Sequence, residues 1–507
     1  MVTLDGATLR CGDVAAVARE KARALLGERA RRQVRRARRS LEEIARGAPV
    51  AYGIKTGLGQ LEDVTIPARD QRRLQENLVR SHAVGVGAPM PPEWVRAAML
   101  ARANAFAKGH SGVREDVVDL LLGMLNAGVH PVVPSQGSLG ASGDLAPLAH
   151  LALVLIGEGR AQVRGRVRPG KEALRAARLR PLRLEAKEGL ALVNGTSFMA
   201  GIGSLLAVDA QRLVRDAQIV ASLSFEALRG SPVPFDARLA AVKAHPGQTR
   251  VAANLRRLLR GSQIIPSHRG PHKVQDAYTL RCLPQVLGAV ADVVDRLEAC
   301  VTVELNAASD NPLIFPDDAE SLSGGNFHGQ ALAMELDHAA LALTVMAGFS
   351  ERRIARLVDA HLSGLPPFLT ERPGLNSGFM LAQYTAAALA SECKVLAHPA
   401  SADSIPTSAN QEDWVNNGLV AARKATTCLE NATAVVAIEL LCAAQGLEFL
   451  PGKRPGRGPE AARDRLRKAV PALGEDRELA PDIEAARRLL VTGEISKAAA
   501  RAAGPLA

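Results

Sequence analysis

The residues that could do unusual chemistry are concentrated in Gly137-Ser138-Leu139-Gly140-Ala141-Ser142-Gly143-Asp144-Leu145-Ala146-Pro147-Leu148-Ala149-His150, a small-residue loop running into an apolar helical pattern. At its centre lies Ala141-Ser142-Gly143. Ordinary side chains supply nucleophiles, acids and bases but no strong electrophile, so a reaction that needs an electron sink must borrow a cofactor or build one. In a sharply bent backbone the amide nitrogen of Gly143 can attack the Ala141 carbonyl, because glycine tolerates strained dihedrals and adds no side chain to block the approach. Loss of water from the ring and from Ser142 leaves a five-membered imidazolone with an exocyclic methylene, a Michael acceptor. Taken alone, the tripeptide also reads as a loop in which Ser142 or Asp144 caps the next helix.

Further groups recur at intervals along the chain. Ala51-Tyr52-Gly53-Ile54-Lys55-Thr56-Gly57-Leu58-Gly59 is a glycine-punctuated loop; it lacks the third glycine and the preceding strand of a dinucleotide site. Ser81-His82 follows, then Val193-Asn194-Gly195-Thr196, where Asn194 reads locally as a helix cap. In Gln275-Asp276-Ala277-Tyr278-Thr279-Leu280-Arg281, helical spacing would put Gln275, Tyr278 and Arg281 on one face, an amide, a phenol and a guanidinium suited to the carboxylate and amine of an amino acid. Arg281 reads equally as half of a structural ion pair. Phe327, Met380 and the acidic Glu412-Asp413 turn complete the set. HExxH, P-loop and Cys/His metal spacings do not occur, so no metal is expected, and Gly140-Ala141-Ser142-Gly143-Asp144 fails the hydrolase elbow at its last position.

Together these segments resemble the aromatic amino acid lyase family, the histidine, phenylalanine and tyrosine ammonia-lyases and related aminomutases, with matching motifs from Tyr52 to about Gly446. The resemblance implies that Ala141-Ser142-Gly143 becomes 4-methylidene-imidazol-5-one (MIO), with no external cofactor. It implies Tyr52 as the base that removes the β-proton, Tyr278 as an aid to amine or proton transfers, and Asn194 as a residue holding MIO or substrate. Arg281, with Gln275 beside it, would clamp the carboxylate, and Phe327 would sit over MIO. Backbone N–H groups after Asp144 would stabilise negative charge on the MIO oxygen. His82, Met380 and Glu412 look like the histidine lyases, whose glutamate meets the imidazole. The implied reaction is L-histidine to trans-urocanate and ammonia; a tyrosine or phenylalanine lyase, or a 2,3-aminomutase, is the alternative within the family. Two departures stand out: Lys55 replaces the more usual asparagine, and Trp414-Val415-Asn416-Asn417 stands where histidine lyases usually show His-Val-Ser-Met.

These groups must be positioned by a mainly α fold, since aromatics are 3% of the 507 residues and Ala, Leu, Val and Arg abound. The resemblance implies a long central helical bundle with a smaller, loop-rich N-terminal MIO-bearing region. We expect residues 1–200 to form that N-terminal domain, 201–450 the long-helix bundle and 451–507 a C-terminal helical segment. Leu206, Leu213 and Val220 repeat every seven residues with Ala210 and Ala217 between them, and Val286, Val290, Val293, Leu297 and Cys300 form a second stripe that stops near Asp310-Asn311-Pro312. Residues 88–126 read as one helix-patterned run. Val163-Arg164-Gly165-Arg166-Val167 is the one credible strand pair. The net charge of +11 admits a nucleic-acid partner, but the arginines between Arg29 and Arg39 are spread around a helix without interleaved aromatics, so a solvated helix is the better reading, against a basic helical nucleic-acid-binding protein. Six scattered cysteines without CxxC and no secretory pattern at the start predict reduced core thiols in a cytoplasmic protein, and no apolar run of membrane-spanning length is read without small or polar breaks. The expected partners are an amino acid substrate and three further copies in a homotetramer, with active sites shared between subunits, and neither nucleic acid nor membrane.

Overall fold

Helices hold 62% of the described residues. The structure, a computed structural model, describes residues 1–47, 56, 57, 59–267 and 274–507. Four helices dominate, Ser197–Ala227, Leu283–Leu305, Gln330–Val358 and Gly418–Glu448. Their sequences are rich in alanine and leucine, which lose little side-chain freedom in a helix. The seven-residue stripe is buried as its spacing requires: Leu206, Ala210, Leu213, Ala217 and Val220 are each at most 3% exposed. With the small and polar breaks read from the sequence, Gln330–Val358 and Gly418–Glu448 are nonetheless long and apolar enough to cross a membrane by length and composition. Buried protein surroundings account for 56% and 78% of those windows, so the apolar residues serve packing.

The chain forms two compact units, and four of their five boundaries fall inside the four long helices, the fifth lying after Met380–Leu396. One comprises Met1–Val208, Leu297–Asp337 and Pro399–Arg423; the other comprises Asp209–Arg296, His338–His398 and Lys424–Ala507. In the first unit the basic helix Glu28–Gly47 buries Ala30, Val34, Ala37 and Leu41 along one stripe, so its arginines are not distributed all round. Several are paired with carboxylates: Arg31 with Glu115 and Asp119, Arg35 with Glu115, and Arg36 with Asp317. The run after residue 88 is two helices, Pro92–Ala107 and Glu115–Ala127, because Gly109 and Gly112 take φ of +81° and +69° between them.

The predicted hairpin is present. Arg160–Val163 pairs antiparallel with Arg166–Pro169 around Arg164 and Gly165, both with positive φ. It is not the one strand pair, however: Val2–Leu4 pairs in parallel with Ala24–Leu26, and Val86–Pro89, His130–Pro131 and Leu313–Phe315 each find antiparallel partners. Strands of two to four residues, held together by the helices around them, have no room to show a period of two.

In the second unit the centre of the core is ionic. Arg353 Nε and Nη2 donate to the two carboxylate oxygens of Glu439 at 2.6 and 2.7 Å, and both side chains are fully buried. Hydroxyls of Ser224 and Ser350 donate to the same carboxylate, tying Ser197–Ala227, Gln330–Val358 and Gly418–Glu448 to one point. The tail forms three shorter helices, Arg457–Arg467, Ala480–Val491 and Glu494–Ala503.

Candidate active site

The 137–143 loop is a compressed turn. Gly140, Ser142 and Gly143 have φ of +87°, +51° and +82°, so three of four consecutive residues occupy the left-handed region. For Ser142 that conformation is strained and must be imposed by its surroundings. Those surroundings are backbone: Gly195 N donates to Ser142 O at 3.1 Å, and Asp144 N donates to Gly195 O at 2.8 Å. A Cβ on Gly143 would collide with the Gly195 carbonyl, so this position accepts only glycine. Gly143 N, the atom that ring closure would use, faces Gly140 O at a loose 3.4 Å.

Neither local cap forms. Asp144 makes no side-chain bond to its own helix, Leu145–Leu155. Its Oδ2 instead accepts from Phe198 N and Met199 N, at 2.8 and 3.0 Å, satisfying orphan donors of the helix Ser197–Ala227. Asp144 is fully buried with its Oδ1 unpartnered among the described residues, and burial pushes its carboxyl up to about 7, against those two donors and Arg102. Sequence reasoning missed this role, because the partner donors lie more than fifty residues away.

A cleft of ≈ 250 Å³ opens beside the loop. Ala141 and Gly143 line it, with Ser81, His82, Ser138, Thr407 and the first-turn residues Leu145 and Ala146. His82 ends the helix Gln71–His82. Ser81 Oγ donates to Leu78 O at 3.1 Å and lies 3.0 Å from His82 Nδ1, so its oxygen is left to accept the Nδ1 proton, and Nε2 becomes an acceptor. Burial lowers the His82 pKa, and the charge of Glu412 opposes that shift. The Glu412 charge is thus felt at His82. Glu412 is held by Thr407, whose hydroxyl donates to Glu412 Oε2 at 3.1 Å while their backbones exchange N–H to O bonds at 3.0 and 3.2 Å.

Asn194 is 4% exposed and its Oδ1 is unpartnered among the described residues, as is Ser138 Oγ on the cleft wall. Orphan polar atoms beside a strained Ala-Ser-Gly turn fit a group that brings new hydrogen-bonding atoms to this spot. MIO made from the turn would do so. Phe327 is half-buried in the turn before Gln330–Val358.

Four other predicted residues belong to the second unit. Gln275 precedes the four-residue helix Tyr278–Arg281 rather than lying on it, so the three-residue face is not formed as expected; a helix that short cannot extend back to residue 275. Tyr278 and Arg281 do meet, the guanidinium lying 4.6 Å from the ring centroid, and Tyr278 is 68% exposed. Met380 opens the helix Met380–Leu396. Tyr52 lies outside the described residues.

The departures at 414–417 have definite contacts. Trp414 is exposed and its Nε1 donates to Gln330 Oε1 at 3.4 Å, whereas Asn416 is fully buried against the 137–143 loop.

A helical scaffold that strains Ala-Ser-Gly beside a cleft lined by a histidine agrees with the lyase resemblance, and the chain belongs to that class: it is a member of the aromatic amino acid lyase family, matched over residues 9–468. Histidine ammonia-lyase of Caldanaerobacter subterraneus subsp. tengcongensis is 51% identical, covering 98% of this chain and 97% of that protein. The crystal structure of histidine ammonia-lyase from Trypanosoma cruzi superposes with a TM-score of 0.92 at 41% identity, covering 99% of this chain and 95% of the other. Tyrosine aminomutase from Streptomyces globisporus superposes with 0.94 at 40% identity, covering 99% and 98%, so the fold by itself does not select the substrate ring.

Proposed function

We propose that this chain removes ammonia from L-histidine without oxidation, giving trans-urocanate, the reaction of a histidine ammonia-lyase. The observation that carries this is the strained Ala141-Ser142-Gly143 turn facing a cleft lined by His82 and by Thr407, whose hydroxyl holds the Glu412 carboxylate. Its relatives support the reading at about half identity over nearly the whole chain. MIO, once formed, supplies the electron sink that no side chain offers. The rest falls to the chain's own groups. Arg281 binds the carboxylate, with Gln275 assisting, and Tyr278 serves amine or proton transfers. Tyr52 takes the β-proton. Asn194 and Phe327 hold the reacting groups in place, Met380 and His82 serve recognition of the ring, and Glu412 accepts an imidazole N–H, a contact that no phenyl ring can return.

The exposed apolar residues support assembly. Leu381, Tyr384 and Val395 are 58%, 60% and 74% exposed along one face of Met380–Leu396, and Met334, Leu341 and Val345 are exposed along Gln330–Val358. Stripes of this kind need a partner surface, and a homotetramer with shared sites would cover them and bring Tyr278 into a site. The pairing of several Glu28–Gly47 arginines with carboxylates supports a solvated face over a nucleic-acid patch, and the family membership supports a cytoplasmic enzyme.

The test is one preparation assayed on histidine, tyrosine and phenylalanine with the products identified, weighed intact and sized by light scattering. The reading expects urocanate as the main product, a mass about 36 Da below the sequence mass from two lost waters, and a tetramer. A β-amino acid product or an unshifted mass would overturn it. Glu412→Gln should lower kcat/KM for histidine by about 10- to 100-fold, since a hydrogen bond to a charged group contributes about 1.5–3 kcal/mol. An unchanged kcat/KM would remove Glu412 from ring recognition.

A further inference from the structure

We infer that Asn416 is a positioning residue for ring closure: its side-chain amide holds the Gly140 carbonyl so that the turn through Ala141-Ser142-Gly143 stays closed enough to cyclise. The inference rests on the MIO reading above and concerns how this chain makes the group, not how it uses it.

Asn416 is fully buried and both ends of its amide are engaged. Nδ2 donates to Gly140 O at 2.9 Å, and Oδ1 accepts from Gly418 N at 2.9 Å, at the start of Gly418–Glu448. The next residue repeats the grip one step earlier in the loop, Asn417 N donating to Leu139 O at 3.0 Å. Asn417 is itself moored, its Nδ2 donating to Asp403 O at 2.9 Å. Two successive carbonyls before the tripeptide are thus fixed by two successive residues of one distant segment. After the tripeptide's centre, Ser142 O is fixed by Gly195 N at 3.1 Å. The three residues that must cyclise hang between these anchors.

The chemistry explains why the Gly140 anchor matters. Ring closure forms a bond from Gly143 N to the Ala141 carbonyl carbon. The Ala141 oxygen leaves as water with the protons of the Gly143 and Ser142 amides, and a C=N bond remains. The second water takes the Ser142 hydroxyl and its α-proton, leaving the methylene; no oxidant or reductant is consumed. Before closure, Gly143 N–H competes for Gly140 O, the carbonyl that Asn416 already engages. The amide contact is 2.9 Å and the Gly143 contact 3.4 Å, so Asn416 is the closer donor and the nitrogen nucleophile is only loosely tied. The same bond sets the direction of the Gly140-Ala141 peptide, and with it the face that the Ala141 carbonyl turns to Gly143. Gly140, at φ +87°, has no Cβ to hold that peptide by packing, and one would collide with Asn416. The orientation therefore depends on the hydrogen bond.

The test compares wild type, Asn416→Asp, Asn416→Ala and Asn416→Ser. The Asp variant keeps the acceptor for Gly418 N and removes the donor to Gly140; the Ser variant restores a hydroxyl donor. Each is sampled over time after translation is blocked, and the peptide spanning 137–150 is weighed while circular dichroism and thermal unfolding follow the fold. Folded Asp and Ala variants should lose the two waters at least about tenfold more slowly than wild type, with Ser closer to wild type than either. A purely structural role would lower the folded yield and leave no folded, unmodified protein. If the Asp variant does not fold, the Ala variant carries the test. Dehydration of the folded variants at the wild-type rate overturns the inference alone; wild type without the two-water loss overturns the proposed function and this inference with it.

Discussion

Ser142→Ala protein should fold, keep its full unmodified mass apart from the missing oxygen, and release ammonia from histidine at least about 10⁴-fold more slowly than wild type. The size of the effect follows from chemistry rather than binding. Without the Ser142 hydroxyl no methylene can form, and the described cleft walls offer His82, Thr407, Ser81 and Ser138, none of which is an electron sink. The fold should survive because the turn is imposed by backbone bonds from Gly195 and Asp144 that an alanine leaves in place. Alanine would occupy the same φ of +51° as serine, at similar strain. Turnover within about tenfold of wild type would refute the MIO mechanism, whatever the variant's mass.

The largest expected loss of stability comes from the second unit. Glu439→Ala should cost about 3–5 kcal/mol, because it leaves the Arg353 guanidinium buried without its counter-charge. Against a typical folding free energy of about 5–15 kcal/mol, that is a large fraction. Two hydroxyls lose their acceptor as well, Ser224 and Ser350, each on a different long helix. The paired replacement Arg353→Met with Glu439→Leu should be far milder, since it removes both desolvated charges at once. Urea unfolding of the three proteins decides the matter: a single variant that unfolds at the wild-type midpoint would show that the pair contributes nothing.

Much of this protein was legible in order along the chain. The Leu206 to Val220 repeat predicted the buried stripe of Ser197–Ala227, and Arg164-Gly165 between alternating residues predicted the hairpin. Both are local signals in which a residue's neighbours in sequence are its neighbours in space. Gln275 shows the limit of that logic: its three-residue spacing from Tyr278 was right for a helix, but the helix begins at Tyr278. Glu439 shows another. On an apolar helix a charged residue reads as a surface position, and only the arrival of Arg353 from a different helix makes burial tolerable.

The order of three small residues determined by itself which covalent chemistry is available, because ring closure involves only atoms of adjacent residues. Composition and periodicity likewise determined that the scaffold would be helical. What the tertiary structure decided is the environment of those atoms: Asp144 caps a helix other than its own, Thr407 holds Glu412 beside the cleft, and Asn416 reaches the Gly140 carbonyl across 276 positions. The reason is physical. A hydrogen bond joins whatever donor and acceptor the packed chain brings within about 3 Å, and spacing along the sequence carries no record of that meeting.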